Sequence, residues 1–173
     1  SRTASQCGIR TDGVFNLARI RSIDTRRILE ELDEGRVVII TGFQGVNEAE
    51  EITTLGRGGS DVTAAAVAAA LGASVCEICT DVPGVSSADP QLVGNVRVWH
   101  ELSYEEAIEL ASSGAKVLHP RAAEICMSYR IPIHVRSSFS DDSGTWIKAG
   151  DSTMEQAEVV GVTSDKGIAK ITL

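Results

Sequence analysis

Apolar residues recur along this chain with two alternating periods, and the alternation predicts its elements. From Asp24, "DTRRILEELDEG" places Ile28, Leu29 and Leu32 on one helical face and stops at Gly35. "RVVIITGFQG" follows with an unbroken apolar run from Val37 to Ile40, the pattern of a buried parallel strand ending in a glycine loop. "TAAAVAAALGA" predicts a strong helix closed by Gly72. "SVCEICTDVPG" predicts a short strand that runs into a turn containing Pro83 and Gly84. In "SYEEAIELASSGA" the pair Ser103 and Glu106 forms a capping box, so a helix starts at Tyr104. "HPRAAEICMSYR" predicts a further helix with Pro120 at its favoured first position, and "IPIHVRSS" is the strand after it. From Phe139 to Gln156 the composition shifts to Ser, Asp, Gly and Thr, which predicts a loop or linker. "EVVGVTSDKGIAKITL" predicts two strands joined at "SDKG". A lone hairpin is marginally stable, so this tail is expected to belong to something larger or to pair with a partner.

Strands alternating with helices imply an α/β fold with a mostly parallel sheet covered by helices. Ligands in such sheets gather beyond the carboxyl ends of the strands, where "TTLGRGGSD" and "TDVPGVSSADP" are expected to fall. At 173 residues and 43% hydrophobic, the chain suits one main domain with a small appendage, and an aromatic content of 4% argues against an aromatic-rich β-sandwich. A net charge of −8 repels phosphate backbones and acidic membranes, which argues against nucleic acid as a partner. No apolar run reaches the roughly 20 residues of a membrane helix, and "SRTASQCGIR" lacks the core of a signal peptide; a cytoplasmic location is expected.

Cys7, Cys76, Cys79 and Cys126 do not make a disulfide framework at this length. Cys76 and Cys79 form a C-x-x-C on a β-type run, where residues three apart point to opposite faces, so two small buried thiols are expected rather than a metal site.

The chemistry concentrates in "GRGGSD". Gly56, Gly58 and Gly59 permit positive φ and bring bare N–H groups near a ligand, at the positive end of the following helix. Arg57 supplies a planar fork for a carboxylate or phosphate, and Ser60 can either cap the helix or donate to the same anion. Asp61 is an odd neighbour for a purely negative ligand, which favours a guest carrying both signs, such as an amino acid. The plain alternative is a glycine turn with Ser60 as cap and Arg57 solvated. The row is neither a P-loop nor G-x-G-x-x-G. In the second loop, Thr80, Asp81 and Asp89 can meet ribose, adenine edges or water-bound Mg²⁺, or can bond their own backbone in a turn. Lys116, between two helices in "SSGAKVLHPRA", is either a solvated lysine or a point charge for a phosphate chain.

Taken in order, "TTLGRGGSD", "CEICTDVPGVSSADP", "GAKVLHPRAAEI" and "IPIHVRSSF" resemble the aspartate kinases of the amino-acid kinase family, over Val38 to Leu173. The resemblance implies a three-layer α/β/α sandwich of the carbamate kinase-like type. It also implies transfer of the ATP γ-phosphoryl group, with Mg²⁺, to the side-chain carboxylate of L-aspartate, the first step toward lysine, threonine and methionine. It carries Arg57, Gly58, Gly59 and Ser60 over to aspartate binding, and it gives Asp61 and Arg57 catalytic roles, Asp61 by organising charge around the phosphoryl group. Thr80, Asp81, Ser86, Asp89 and Gln91 would meet the nucleotide, and Lys116 its phosphates. No residue is carried over as a metal ligand.

By the same resemblance, residues 1–138 form the carboxyl-terminal part of the kinase domain, 139–156 a linker, and 157–173 a hairpin leading into an ACT regulatory region. Lysine or threonine is the implied effector, selected by residues beyond Leu173. The family's amino-terminal "KFGGSSV"-like segment has no counterpart here, so the sheet is expected to be incomplete on that side, the isolated chain inactive, and the chain associated with the missing segments or with its own copies. Ser86 and Gln91 stand where the family commonly has an aromatic residue and an arginine. A non-catalytic nucleotide- or amino-acid-binding or regulatory module of the same fold is the alternative. A relative acting on glutamate or a related acid fits the motifs less well.

Overall fold

The computed structural model describes residues 1–115, 117–150 and 159–163. Among the described residues the fold is built from two four-stranded sheets and four helices. The first sheet holds β1 (Ile9–Thr11), β2 (Ile20–Ile23), β3 (Gln44–Val46) and β4 (Ile52–Thr54) in the order β2-β1-β3-β4. The second holds β5 (Cys76–Thr80), β6 (Glu101–Ser103), β7 (Ile133–Ser137) and β8 (Thr145–Lys148) in the order β5-β7-β8-β6. The helices are α1 (Arg26–Asp33), α2 (Gly59–Leu71), α3 (Tyr104–Ser112) and α4 (Pro120–Tyr129).

The α/β class is as expected, but the sheets are mixed rather than mostly parallel. β1 with β3, β5 with β7 and β6 with β8 run parallel, while β1 with β2, β3 with β4 and β7 with β8 run antiparallel. The connections explain this, since β3–β4 and β7–β8 are joined by short loops with no helix, and a short return can only be antiparallel.

Helix α2 is apolar all round, a composition that stabilises a helix only when it is covered on all sides. Its Ala65 and Ala68 enter the largest core cluster, Val62 a second cluster with Ala18 and Leu55, and Val67 and Leu71 a third around Ile9 and Ile28. The alanines also let α2 lie against Ala122, Ala123 and Cys126 of α4. One face of the second sheet, with Cys76, Ile78, Ile133, Val135 and Ile147, closes the largest cluster. Cys76 and Cys79 lie on opposite faces of β5 as the period of two requires, but of the two thiols expected to be buried only Cys76 is; Cys79 faces away from the core and is exposed.

Both predicted helix starts hold. Ser103 and Glu106 make a reciprocal capping box ahead of Tyr104, and Pro120 opens α4 with His119 as its N-cap. Two expectations fail. Val37 to Ile40 is not a buried strand: Val37 is 89% and Ile39 64% exposed, and the pairing is a single bridge from Ile40 to Arg2. Alternation is kept, with Val38 and Ile40 turned onto the core, but nothing among the described residues covers the other side. The segment read as a linker contains β8, whose Ile147 is fully buried. Thr145 in that strand donates its hydroxyl to Trp99 O and accepts the Val85 N–H, so a polar residue holds an interior position by satisfying both bonds. Of the expected terminal hairpin, only residues 159–163 are described; the remainder lies outside the described residues.

Candidate functional site

β4 delivers the chain into Gly56–Ser60, and α2 carries it away. The loop is tied on one side to the segment before β2, where Thr54 N–H donates to Phe15 O at 2.7 Å and Ala18 N–H to Thr54 O at 2.9 Å. On another side Leu55 N–H donates to Phe43 O at 2.9 Å, and Phe43 N–H to the hydroxyl of Thr63 on α2 at 3.0 Å. Gly58 sits at the N-cap of α2 with φ +71°, and a Cβ there would stand 2.4 Å from Cδ2 of His119. Only glycine meets both conditions without strain.

Because Gly58 holds the cap, Ser60 does not; it is the second residue of the helix, exposed, with no side-chain bond among the described residues. The capping role considered for Ser60 is thereby corrected. Arg57 is also exposed and has no hydrogen bond or ion pair among the described residues. The helix therefore offers a positive end, a free hydroxyl and a free guanidinium on one short arc.

Asp61 is half-buried behind that arc, and its Oδ2 accepts the His119 N–H at 3.1 Å. Burial raises its pKa above the usual carboxylate value, opposed by the bond it accepts from the His119 N–H. His119 in turn caps α4 by accepting the Arg121 N–H on Nδ1 at 3.2 Å. The start of α4 and the start of α2 are thus fixed against each other through the "GGSD" and "HPR" segments. His119 and Arg121 were part of a quoted motif, yet nothing in their local pattern assigned them a task, because their partners lie 58 to 103 residues away.

The second group lies beyond the carboxyl end of β5. Thr80 donates its hydroxyl to Asp81 Oδ1 at 3.1 Å, and its carbonyl accepts Ser138 N–H at 2.7 Å just past β7. Ser86 forms an antiparallel bridge to Val98, and Ser87 and Arg97 exchange bonds beside it. Asp89 accepts Gln91 N–H on its side chain at 2.8 Å, and its carbonyl accepts Leu92 and Val93 N–H, so at rest Asp89 organises a turn. Gln91 is exposed within that turn. No hydrogen bond or ion pair among the described residues joins this group to the Gly56–Asp61 arc. Lys116, the remaining candidate, lies outside the described residues.

Comparison with known proteins places these features. The sequence model of the amino acid kinase family matches residues 2–137. The aspartokinase of Mycolicibacterium smegmatis is 49% identical over 176 residues, covering 100% of this chain and 42% of that protein. Among solved structures, E. coli aspartokinase III in complex with aspartate and ADP (R-state) superposes with a TM-score of 0.81 at 36% identity, covering 87% of this chain and 35% of that one. The same enzyme in complex with lysine and aspartate (T-state) gives 0.73 at 36% identity, with the same shares covered. The chain therefore spans less than half the length of the curated relatives it matches.

Proposed function

The chain belongs to the amino acid kinase family, and on that premise we propose that it is part of an aspartate kinase, which transfers the γ-phosphoryl group of ATP to the side-chain carboxylate of L-aspartate. The observation that carries this reading is the arc of exposed Arg57, exposed Ser60 and the positive end of α2, backed by half-buried Asp61. An α-amino acid presents a carboxylate to Arg57 and the helix end, and an ammonium to a carboxylate nearby.

In this reading Arg57, Gly58, Gly59 and Ser60 hold aspartate, and Asp61 organises charge around the transferring group. Thr80, Asp81, Ser86, Asp89 and Gln91 meet ATP, and Lys116 its phosphates. The acceptor carboxylate, with a reference pKa of about 4, is ionised at neutral pH and needs no general base. The work left to the protein is alignment and neutralisation of charge. The hydroxyl of Thr80 and the exposed carboxylate of Asp81 are hard oxygen donors, which fits Mg²⁺ held through water, as that ion prefers. Mg²⁺ would neutralise phosphate charge there.

We assign residues 1–138 together with β8 to the kinase domain and 157–173 to the lead into a regulatory region. Lysine or threonine is the proposed effector class, since the T-state relative is described with lysine bound. The test is ATP-dependent formation of aspartyl phosphate, trapped as the hydroxamate, for this chain and for the longest natural polypeptide that contains it. Hydroxamate from the longer form alone is the expected result. None from either contradicts the reading and favours a binding or regulatory module.

A further inference from the structure

Arg121 stands on the first turn of α4, where the helix dipole disfavours a cation. Its side chain leaves the helix and spreads its fork over two other parts of the chain: Nη1 donates to Leu55 O at 3.1 Å and Nη2 to Ala18 O at 3.1 Å. Ala18 is fully buried and Leu55 is 1% exposed, so with Arg121 seated the guanidinium takes the place of water on these carbonyls. Leu55 lies two residues before Arg57. The Ala18 end belongs to the segment on which the substrate loop rests, since a Cβ on Gly56 would meet Leu17 Cδ1 at 2.8 Å.

We propose that Arg121 is a positioning residue, which sets the height of the Gly56–Ser60 loop over residues 15–18 and fixes it to the start of α4. The inference rests on the aspartate kinase reading above and adds a determinant to it. By this account, Arg121 ties the loop that takes the acceptor to the first turn of α4. Two donors in one plane are needed, because the two carbonyls come from segments 37 residues apart in sequence, Ala18 and Leu55, and a single ammonium cannot span both in the same geometry.

The experiment compares Arg121→Met and Arg121→Lys with the unaltered protein in the longest natural polypeptide that contains this chain. The expected result for Arg121→Met is a rise in aspartate KM of about tenfold, with ATP KM changed by less than about twofold. Arg121→Lys should recover part of the loss, and it decides the matter if the methionine variant does not fold. Amide hydrogen exchange is read alongside: the bonded amides of Ala18, Thr54, Leu55 and Gly59 should exchange faster by about tenfold in Arg121→Met, with β5 and β7 unchanged. An equal rise of both KM values, or unchanged exchange in the loop, overturns the proposal. If the unaltered polypeptide makes no aspartyl phosphate, the functional reading falls, and the exchange measurement alone still decides whether Arg121 positions the loop.

Discussion

The loop Gly56–Ser60 and the tip of the β5–β6 connection, Asp89 to Gly94, both lie beyond strand ends, but they are held by different means. The loop carries one bond of its own, from Gly59 N–H to Gly56 O, but its two flanks, Thr54 and Leu55 before it and Asp61 after it, are fixed from outside by Phe43, residues 15–18, His119 and Arg121, through contacts that span the chain. The tip is fixed from within, by Asp89 bonding residues two to four places on. A loop whose flanks are held by distant neighbours transmits a change in them, and an atom added at Gly58 meets His119. A tip held by its own turn accepts changes that leave the turn intact.

The largest break in that contrast is Gly58→Ala. The αL backbone and the His119 ring 2.4 Å from the new Cβ act together, and about 1–3 kcal/mol of strain is expected at this one position. Thermal unfolding should show the loss, and aspartate-dependent hydroxamate formation should fall by at least about tenfold.

Asp61→Asn comes next, and it separates activity from stability. Burial raises the Asp61 pKa, so the folded state holds this proton more tightly than the unfolded state does. Stability from the protonated form is complete below the unfolded carboxylate range and is lost as pH rises through the folded pKa. At pH 7 the ionised side chain is therefore a cost, one that asparagine escapes while still accepting the His119 N–H. The variant should match or exceed the parent in Tm at pH 7, lose that advantage below about pH 4, and fall in turnover by about ten- to a hundredfold. A Tm well below the parent at pH 7 would show that Asp61 serves the fold.

On the tip, effects should be small and confined to the nucleotide. Gln91→Arg adds a cation to an exposed turn, and ATP KM should drop by about two- to fivefold with aspartate KM unchanged. Gly94→Ala meets nothing within 4 Å, and stability should stay within about 0.5 kcal/mol of the parent by denaturant titration. A large loss at Gly94 would erase the distinction between the two regions.

What the sequence made legible follows the same divide. The capping box at Ser103, the start of α4 at Pro120 and the glycine stop of α2 are local signals with local causes, and each stands where expected. The glycines of "GRGGSD" announced a special backbone, and Gly58 has one. The failures are non-local. Val37 to Ile40 carries a two-sided apolar pattern, but only one side meets a core here. β8 is four residues long in a polar stretch, and its Thr145 is buried by virtue of bonds to Val85 and Trp99, which no periodicity encodes. The fork of Arg121 depends on carbonyls 66 and 103 residues away, and a carbonyl leaves no trace in a sequence.

The central claim is that the exposed guanidinium of Arg57 takes the acceptor amino acid. The most direct measurement is aspartate KM and ATP KM for Arg57→Ala, read as hydroxamate formation in the longest natural polypeptide that contains this chain. The account predicts a rise in aspartate KM of about tenfold or more, the loss of a charge-assisted pair, with ATP KM nearly unchanged. An unchanged aspartate KM and kcat would contradict it.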